Sequence, residues 1–528
     1  MNYNLALPFH RNSIESPDRL ALSADGEELT YRELATLARR VARVLATALD
    51  SGIQHERQWR VGILASRSIE ACIGVLGATW SGATYVPLGS RLPEERLRTV
   101  LSLCHLDALI TDAEGARLLS ERVLEASPNL LLVPDPAVLK KTPAMHGKRI
   151  HGLRALPDAR ALDAPAHVSA DDLAYIEFTS GTTGVPKGVM ISAGAVHHYL
   201  TVMMDRYRFT PEDRLPETCE LNFDVSVHDM FLTWGAGASL HVLPRNQIMN
   251  SVRFIRDKQL TVWVSVPSII GLAQRTRALR PGVLPSLRCS MFGGEPLSVA
   301  AARAWAEAAP NSVIDNLYGP TEATVTCTAL CYSTHPIQTP GRDVIAIGMP
   351  LPGTRVAIVD ESLNFLGPGQ EGELAVGGPQ LARGYLGAPE LTASRFPTID
   401  GRRWYLTGDL ARRDEAGCLH HLGRVDHQVK ILGNRVELEE VEAHLRAVTQ
   451  AGFVAALAWP IQQGAARGIV AFVSGEMPPV RDVLARMTQR LPEYMVPHRI
   501  ERLSDMPLSP NGKVDRKQLR SLLEAESR

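Results

Sequence analysis

The chain has 528 residues, 45% hydrophobic and 21% charged, with 56 Lys plus Arg against 57 Asp plus Glu. That length implies several domains and an ample core. A balanced charge argues against nucleic-acid binding, which draws on a basic excess to release counterions. The longest apolar runs, around Ile73 to Ala78 and Ile469 to Val473, fall far below the ~18 residues that cross a bilayer, so no membrane partner is expected. The first ten residues lack a basic segment followed by an apolar one, and the seven cysteines are scattered without a C-x-x-C pair. Both features point to a reducing, cytoplasmic location.

In chain order, the first clear element covers 31–45, where Leu34, Leu37, Ala38, Val41, Val44 and Leu45 recur at three- and four-residue spacing with Arg32, Arg39 and Arg43 on the other side. This predicts an amphipathic helix. Between 127 and 168 the prolines Pro134, Pro136, Pro143, Pro157 and Pro165 and the basic cluster Lys140, Lys141, Lys148 and Arg149 predict a solvated surface connection. LTVWVSV at 260–266, ended by Pro267 and Ser268, predicts a buried strand. After Arg424 to Asp426, a helix over 437–449, a strand over 468–473 and a helix over 480–491 predict a small C-terminal domain. Alternation of strand and helix along most of the chain indicates an α/β architecture with largely parallel sheets.

The strongest chemical signal is LAYIEFTSGTTGVPKG at 173–188. A strand-like run ends in Thr179, Ser180, Gly181, Thr182, Thr183 and Gly184, followed by Pro186 and Lys187. Hydroxyl residues interleaved with glycines give a loop whose N–H and O–H groups can surround phosphate oxygens, with Lys187 as a point charge. A Walker A pattern cannot be laid over this segment.

This string resembles the adenylate-forming superfamily of acyl-CoA synthetases and luciferases, and most closely the amino-acid adenylation domains of nonribosomal peptide synthesis and their stand-alone relatives, the carrier-protein ligases. The likeness runs through LTYREL (29–34), SGATYVPL (81–88), NFDVS (222–226), NLYGPTE (316–322), GELAVGGPQLARGYL (372–386), YLTGDL (405–410), GRVDHQVKILGNRVELEEVE (423–442), LPEYMVP (491–497) and LSPNGKVDR (508–516). It implies an α/β fold with a large N-terminal domain, 1–425, of layered α/β subdomains plus a β-barrel-like part. A small mobile α+β domain, 426–528, would carry a catalytic lysine.

The resemblance also implies roles. Thr179, Ser180, Gly181, Thr182, Thr183, Gly184 and Lys187 would bind the phosphates of ATP, with Thr183, Lys187 and Lys513 closest to the chemistry. Asn316, Tyr318, Gly319 and Thr321 would surround the adenine and α-phosphate. Tyr318 would stack on the base, and Glu322 would hold Mg²⁺, a hard cation suited to carboxylate and phosphate oxygens. Asp409 would accept from the ribose hydroxyls, with Arg424 nearby. Lys513 would stabilise charge developing between carboxylate and α-phosphate. Asp426 would be the hinge about which the small domain turns between two half-reactions, the second bringing Gly433 to the thiol's approach.

Asp224 stands where amino-acid activators place the carboxylate that pairs with the substrate α-ammonium. Val225, His228, Ser265, Met291, Gly293, Leu317, Val325 and Thr326 would line the rest of the pocket. With Asp224 and His228 its only ionisable members, a neutral, small-to-medium side chain is expected, with Ser265, Thr326 or His228 available to a hydroxyl. His228 reads equally well as a structural histidine. The chain contains no L-G-G-[HD]-S attachment segment and no H-H-x-x-x-D-G condensation motif, and it ends 15 residues after Lys513. The expected acceptor is therefore the phosphopantetheine thiol of a carrier protein in trans. An acyl- or aryl-CoA ligase using coenzyme A is the alternative, and a nucleotide-binding scaffold without chemistry is disfavoured because Lys187, Glu322, Asp409, Arg424 and Lys513 are all present.

Overall fold

The structure, a computed structural model, describes residues 1–49, 57–139, 142–157, 162–181, 185–426, 428–431, 433–451, 453–462, 465–508 and 514–526. Thr182, Thr183, Gly184 and Lys513, and with them Lys140 and Lys141, lie outside the described residues. The chain divides into two compact units: Met1–Ser90, Val100–Phe178 and Gly188–Val425 form one, and Arg91–Thr99, Thr179–Lys187 and Asp426–Arg528 the other. Two short pieces that precede the expected boundary, one of them the glycine-rich loop, thus cluster with the C-terminal segment.

The first unit contains an eight-stranded sheet in which Arg60–Leu64, Thr84–Leu88, Ala108–Thr111, Leu130–Val133, Arg149–Gly152 and Leu173–Thr179 pair in parallel. Buried parallel strands need apolar residues on both faces, and LLLV at Leu130–Val133 is fully buried. The stretch expected to be a surface connection therefore contains the last two strands of this sheet, Leu130–Val133 paired on both sides and Arg149–Gly152 at the edge. Lys148 is not simply solvated either: its ammonium donates to the Ser127 carbonyl at 3.0 Å.

The helix expected from 31 runs over Tyr31–Leu49 and packs on the buried helix Ile69–Trp80. The second is started by Ser68, which accepts from the Ala71 N–H. A Cβ on Gly77 would come within 2.4 Å of Val41 Cγ1, so only glycine permits this helix contact.

A second sheet runs Val262–Ser265, Cys289–Gly293 and Val313–Tyr318 in parallel, then Thr328–Cys331 and Met349–Pro350 antiparallel. The strand expected over 260–266 is thus the four-residue edge of this sheet. A four-stranded sheet joins Arg214–Glu217, Ser239–Val242, Leu20–Ala24 and Glu27–Thr30. The last is antiparallel, with Arg355–Val359, Glu371–Gly377, Arg402–Arg413 and Thr398–Ile399 in order and Leu419–Arg424 added to its longest strand. This is the α/β architecture with several sheets that the motifs implied.

In the second unit a three-stranded sheet, Phe453–Ala458, Ile469–Ser474 and Arg499–Leu503, and a smaller four-stranded sheet accompany the helices Leu438–Thr449, Val480–Thr488 and Arg516–Glu526. The helix expected over 480–491 stops at Thr488, although Leu491 is buried, because Pro492 drives the residue before it out of the helical region. No described helix is long and apolar enough to cross a membrane.

Candidate active site

Within the first unit the expected residues gather at the C-terminal ends of the parallel strands, where open α/β sheets place their ligands. Ser265, Gly293 and Tyr318 stand at the ends of three neighbouring strands, with Gly293 in register with Leu317. Met291 lies two residues back on the middle strand and is fully buried.

One end of the candidate site is built around Asp409 on the strand Arg402–Arg413. Antiparallel pairing sets Asp409 directly opposite Arg424, and Arg424 Nη1 donates to Asp409 Oδ1 at 2.7 Å. The Tyr318 hydroxyl donates to Oδ2, and His421 Nε2 lies 3.3 Å from Oδ1. Burial alone would raise this carboxyl. The His421 hydrogen bond, the Arg424 charge and the Tyr318 hydroxyl overcome it and hold Asp409 well below the usual carboxylate range. Burial, and then the Asp409 charge, push the Tyr318 phenol well up. The sequence reading missed His421, whose ring centroid lies 6.1 Å from that of Tyr318.

The segment after Tyr318 turns sharply. A Cβ on Gly319 would lie 2.4 Å from Thr326 Cα and 2.7 Å from the Val325 carbonyl oxygen, so the loop can double back on itself only with glycine there. Thr321 begins the short turn that carries Glu322. Glu322 is buried, and its Oε1 accepts from the Tyr385 hydroxyl at 2.9 Å. Asn316, on the strand that ends at Tyr318, donates its amide nitrogen to the Ala346 carbonyl at 2.9 Å, which orients the side chain.

At the other end, the half-buried Asp224 sits at the N-terminus of the helix Val225–Ala236, with Val225 and His228 on the first turns. His228 is buried and shares a 2.7 Å hydrogen bond between its Nδ1 and the Tyr199 hydroxyl, while Nε2 has no partner among the described residues. It is thus anchored structurally and still offers one ring nitrogen. Burial lowers its pKa to about 3, so the ring is neutral. Thr326 Oγ1 lies 3.5 Å from the same Tyr199 hydroxyl. Ser265 is less available than expected, since its Oγ accepts from Trp263 Nε1 at 2.9 Å and donates to the Val266 carbonyl at 3.3 Å. Leu317 and Val325 are buried.

Sequence reasoning also missed the buried acids of this region. Glu177 interrupts the apolar strand Leu173–Thr179; burial and then the Asp224 charge push it well up. Glu217 and Asp229, both buried, form a tight group with Cys219, and burial raises both carboxyls. A charged residue inside an otherwise apolar strand was the available signal for Glu177.

In the second unit, Thr179 ends its strand and Ser180, Gly181 and Lys187 begin and end the described part of the loop. Ser180 Oγ donates to the Arg435 carbonyl at 3.0 Å, the Gly181 N–H to Glu440 Oε2 at 3.1 Å, and Lys187 Nζ to Glu437 Oε1 at 3.3 Å. Asp426 opens this unit's C-terminal part, its Oδ1 accepting from the Gln428 N–H at 3.1 Å. Gly433, with a φ of 81°, makes the turn between Gln428–Ile431 and Asn434–Glu437.

The family of AMP-binding enzymes matches residues 9–386. Tyrocidine synthase 2 of Brevibacillus parabrevis is 36% identical over 529 residues, covering 98% of this chain, which spans only 14% of that protein. Among solved structures, the Vibrio cholerae adenylation domain AlmE in complex with glycyl-adenosine-5'-phosphate superposes with a TM-score of 0.88 at 32% identity, covering 99% of this chain and 98% of that one. PA1221, an NRPS protein containing adenylation and PCP domains, gives a TM-score of 0.79 at 25% identity, over 98% of this chain and 84% of that one. An Asp409 cluster at the strand ends, a glycine-rich loop and these matches lead to one conclusion: the chain belongs to the AMP-binding enzymes of the adenylate-forming superfamily, related to adenylation domains of nonribosomal peptide synthesis.

Proposed function

We propose that this adenylate-forming enzyme activates a neutral amino acid of small to medium size with ATP, releasing pyrophosphate, and then passes the aminoacyl group to the phosphopantetheine thiol of a carrier protein. The observation that carries the amino-acid reading is Asp224 at the N-terminus of the helix Val225–Ala236, its charge acting on Tyr199, whose hydroxyl also meets His228 and Thr326. A carboxylate there suits an α-ammonium. The further acids Glu177, Glu217 and Asp229 are held towards their neutral forms by burial, so they offer no countercharge to a cationic side chain. His228 Nε2, without a partner among the described residues, would accept a hydrogen bond from a substrate hydroxyl.

In this reading Asp409 takes the ribose, Tyr318 stacks on the adenine, and Arg424 lies beside both. Thr321, Thr179, Ser180, Gly181, Thr182, Thr183, Gly184 and Lys187 take the phosphates, and Lys513 stabilises the carboxylate–phosphate junction. Glu322 fits Mg²⁺, being a single buried carboxylate oriented by the Tyr385 hydroxyl. The bound ion would neutralise phosphate charge. Asp426, at the boundary of the two units, would be the hinge, and Gly433 would line the thiol's approach. A carrier protein is favoured as acceptor by the likeness to a protein that contains adenylation and PCP domains.

The test is ATP–pyrophosphate exchange over proteinogenic and common nonproteinogenic amino acids, aryl acids and fatty acids, followed by thioester formation with holo carrier protein or coenzyme A. Exchange with one or a few neutral amino acids and loading of the carrier are expected. Exchange with aryl or fatty acids and transfer to coenzyme A would establish the CoA-ligase alternative.

A further inference from the structure

The donors of the glycine-rich loop are already engaged inside the second unit, and by anions. Glu437 and Glu440 lie three residues apart, at the end of the strand Asn434–Glu437 and in the first turn of the helix Leu438–Thr449. Each is held from behind: Gln428 Nε2 donates to Glu437 Oε1 at 2.7 Å, and Arg96 is ion-paired with Glu440. The two side chains are only 3% and 0% exposed. Glu437 meets the Lys187 ammonium and Glu440 meets the Gly181 N–H.

A carboxylate oxygen and a phosphate oxygen are the same kind of partner, an anionic acceptor for N–H and ammonium donors. The Gly181 amide has a single hydrogen, so it serves one acceptor at a time. Two buried, prepositioned carboxylates on the donors of a phosphate loop therefore compete with any phosphate that loop binds.

We propose that Glu437 and Glu440 take over the loop after pyrophosphate has left it, so that pyrophosphate and this pair of carboxylates hold the loop alternately. The proposal rests on the reading of 179–187 as the phosphate-binding segment. It makes Glu437 and Glu440 positioning residues. They set the order of events, keeping the loop closed to phosphate while the second half-reaction runs and yielding it when ATP arrives.

The experiment is calorimetric titration of magnesium pyrophosphate into the full-length wild type, Glu437→Gln and Glu440→Gln, with thermal melting as the folding control. If the carboxylates hold the loop nine-tenths of the time, their removal tightens pyrophosphate binding about tenfold. Single-turnover transfer from pre-made aminoacyl adenylate should slow in the same variants while the KM for ATP falls. A mere loss of folding would weaken both half-reactions and lower pyrophosphate affinity. Unchanged pyrophosphate affinity in well-folded variants would overturn the proposal and leave the loop assignment standing. Failure of the wild type to bind pyrophosphate at all would overturn both.

Discussion

The two ends of the first unit's site handle charge in opposite ways. At Asp409 a buried carboxylate is surrounded by Arg424, Tyr318 and His421, and its pKa is driven down despite burial. Around Asp224 the neighbouring acids Glu177, Glu217 and Asp229 are driven up and His228 down, because burial outweighs the local partners. The Asp409 end thus carries its own electrostatic partners and is preorganised before any ligand arrives. The Asp224 end leaves His228 Nε2 and Glu177 Oε1 without partners among the described residues. In the proposed function, a substrate would have to supply them.

The largest effect expected from this contrast is that of Asp409→Ala. It strips Arg424, Tyr318 and His421 of a shared acceptor, at a cost of about 3–5 kcal/mol. Pyrophosphate exchange should fall on the order of 10³-fold, and the melting temperature should drop even without ligand. A variant with unchanged melting temperature would show that this end is not self-supporting.

Asp224→Ala should act the other way round. Exchange with the best amino acid should fall on the order of 10²–10³-fold in kcat/KM, while the melting temperature stays level or rises and a desamino analogue is handled no worse than by wild type. Equal losses with both substrates would place Asp224 among the structural residues and erase the contrast.

The smallest effect concerns pH. His228 is protonated near 6.5 when unfolded and only near about 3 when folded, so the unfolded chain binds the extra proton between these values. Stability is therefore fully present above pH 6.5 and falls as the pH drops through that window, by about 1.4 kcal/mol per pH unit for this ring. The raised carboxyls Glu177, Glu217 and Asp229 act with opposite sign, losing stability as the pH rises through their folded values. Urea unfolding of wild type and His228→Asn at pH 6.5 and 5.5 should show the acid-induced loss reduced in the variant. An equal loss in both would mean that His228 is not held neutral.

Local signals carried much of this architecture. Alternating apolar runs and the 3.6-residue period of 31–45 report on backbone and burial within a few residues. That Tyr318, Asp409 and Arg424 come together was legible too, since each sits in a recognisable string. Less legible were side chains whose meaning depends on distant partners. His421 meets Asp409 through strand pairing that also brings Asp409 opposite Arg424, and the orientation of Asn316 depends on the Ala346 carbonyl thirty residues on. The run Leu130–Val133 was hidden by the prolines and lysines around it, although four consecutive apolar residues suffice for a buried parallel strand.

Gln380 carries a consequence for redesign. Thr324 and Val325 adopt left-handed φ values of 57° and 64°, which cost of order 1–3 kcal/mol each for such residues. Gln380 props that shape from behind: its amide donates to the Thr326 carbonyl at 2.8 Å and to that of Ala323 at 3.2 Å, while its own backbone oxygen accepts from Thr324 Oγ1 at 2.6 Å. The curve of 323–326 is thus held from the scaffold side by Gln380, together with the Thr324 hydroxyl. A redesign of Val325 and Thr326 that keeps Gln380 keeps this mount, whereas one that removes the glutamine takes the hydrogen bonds from the Ala323 and Thr326 carbonyls and leaves the strained φ of Thr324 and Val325 unsupported.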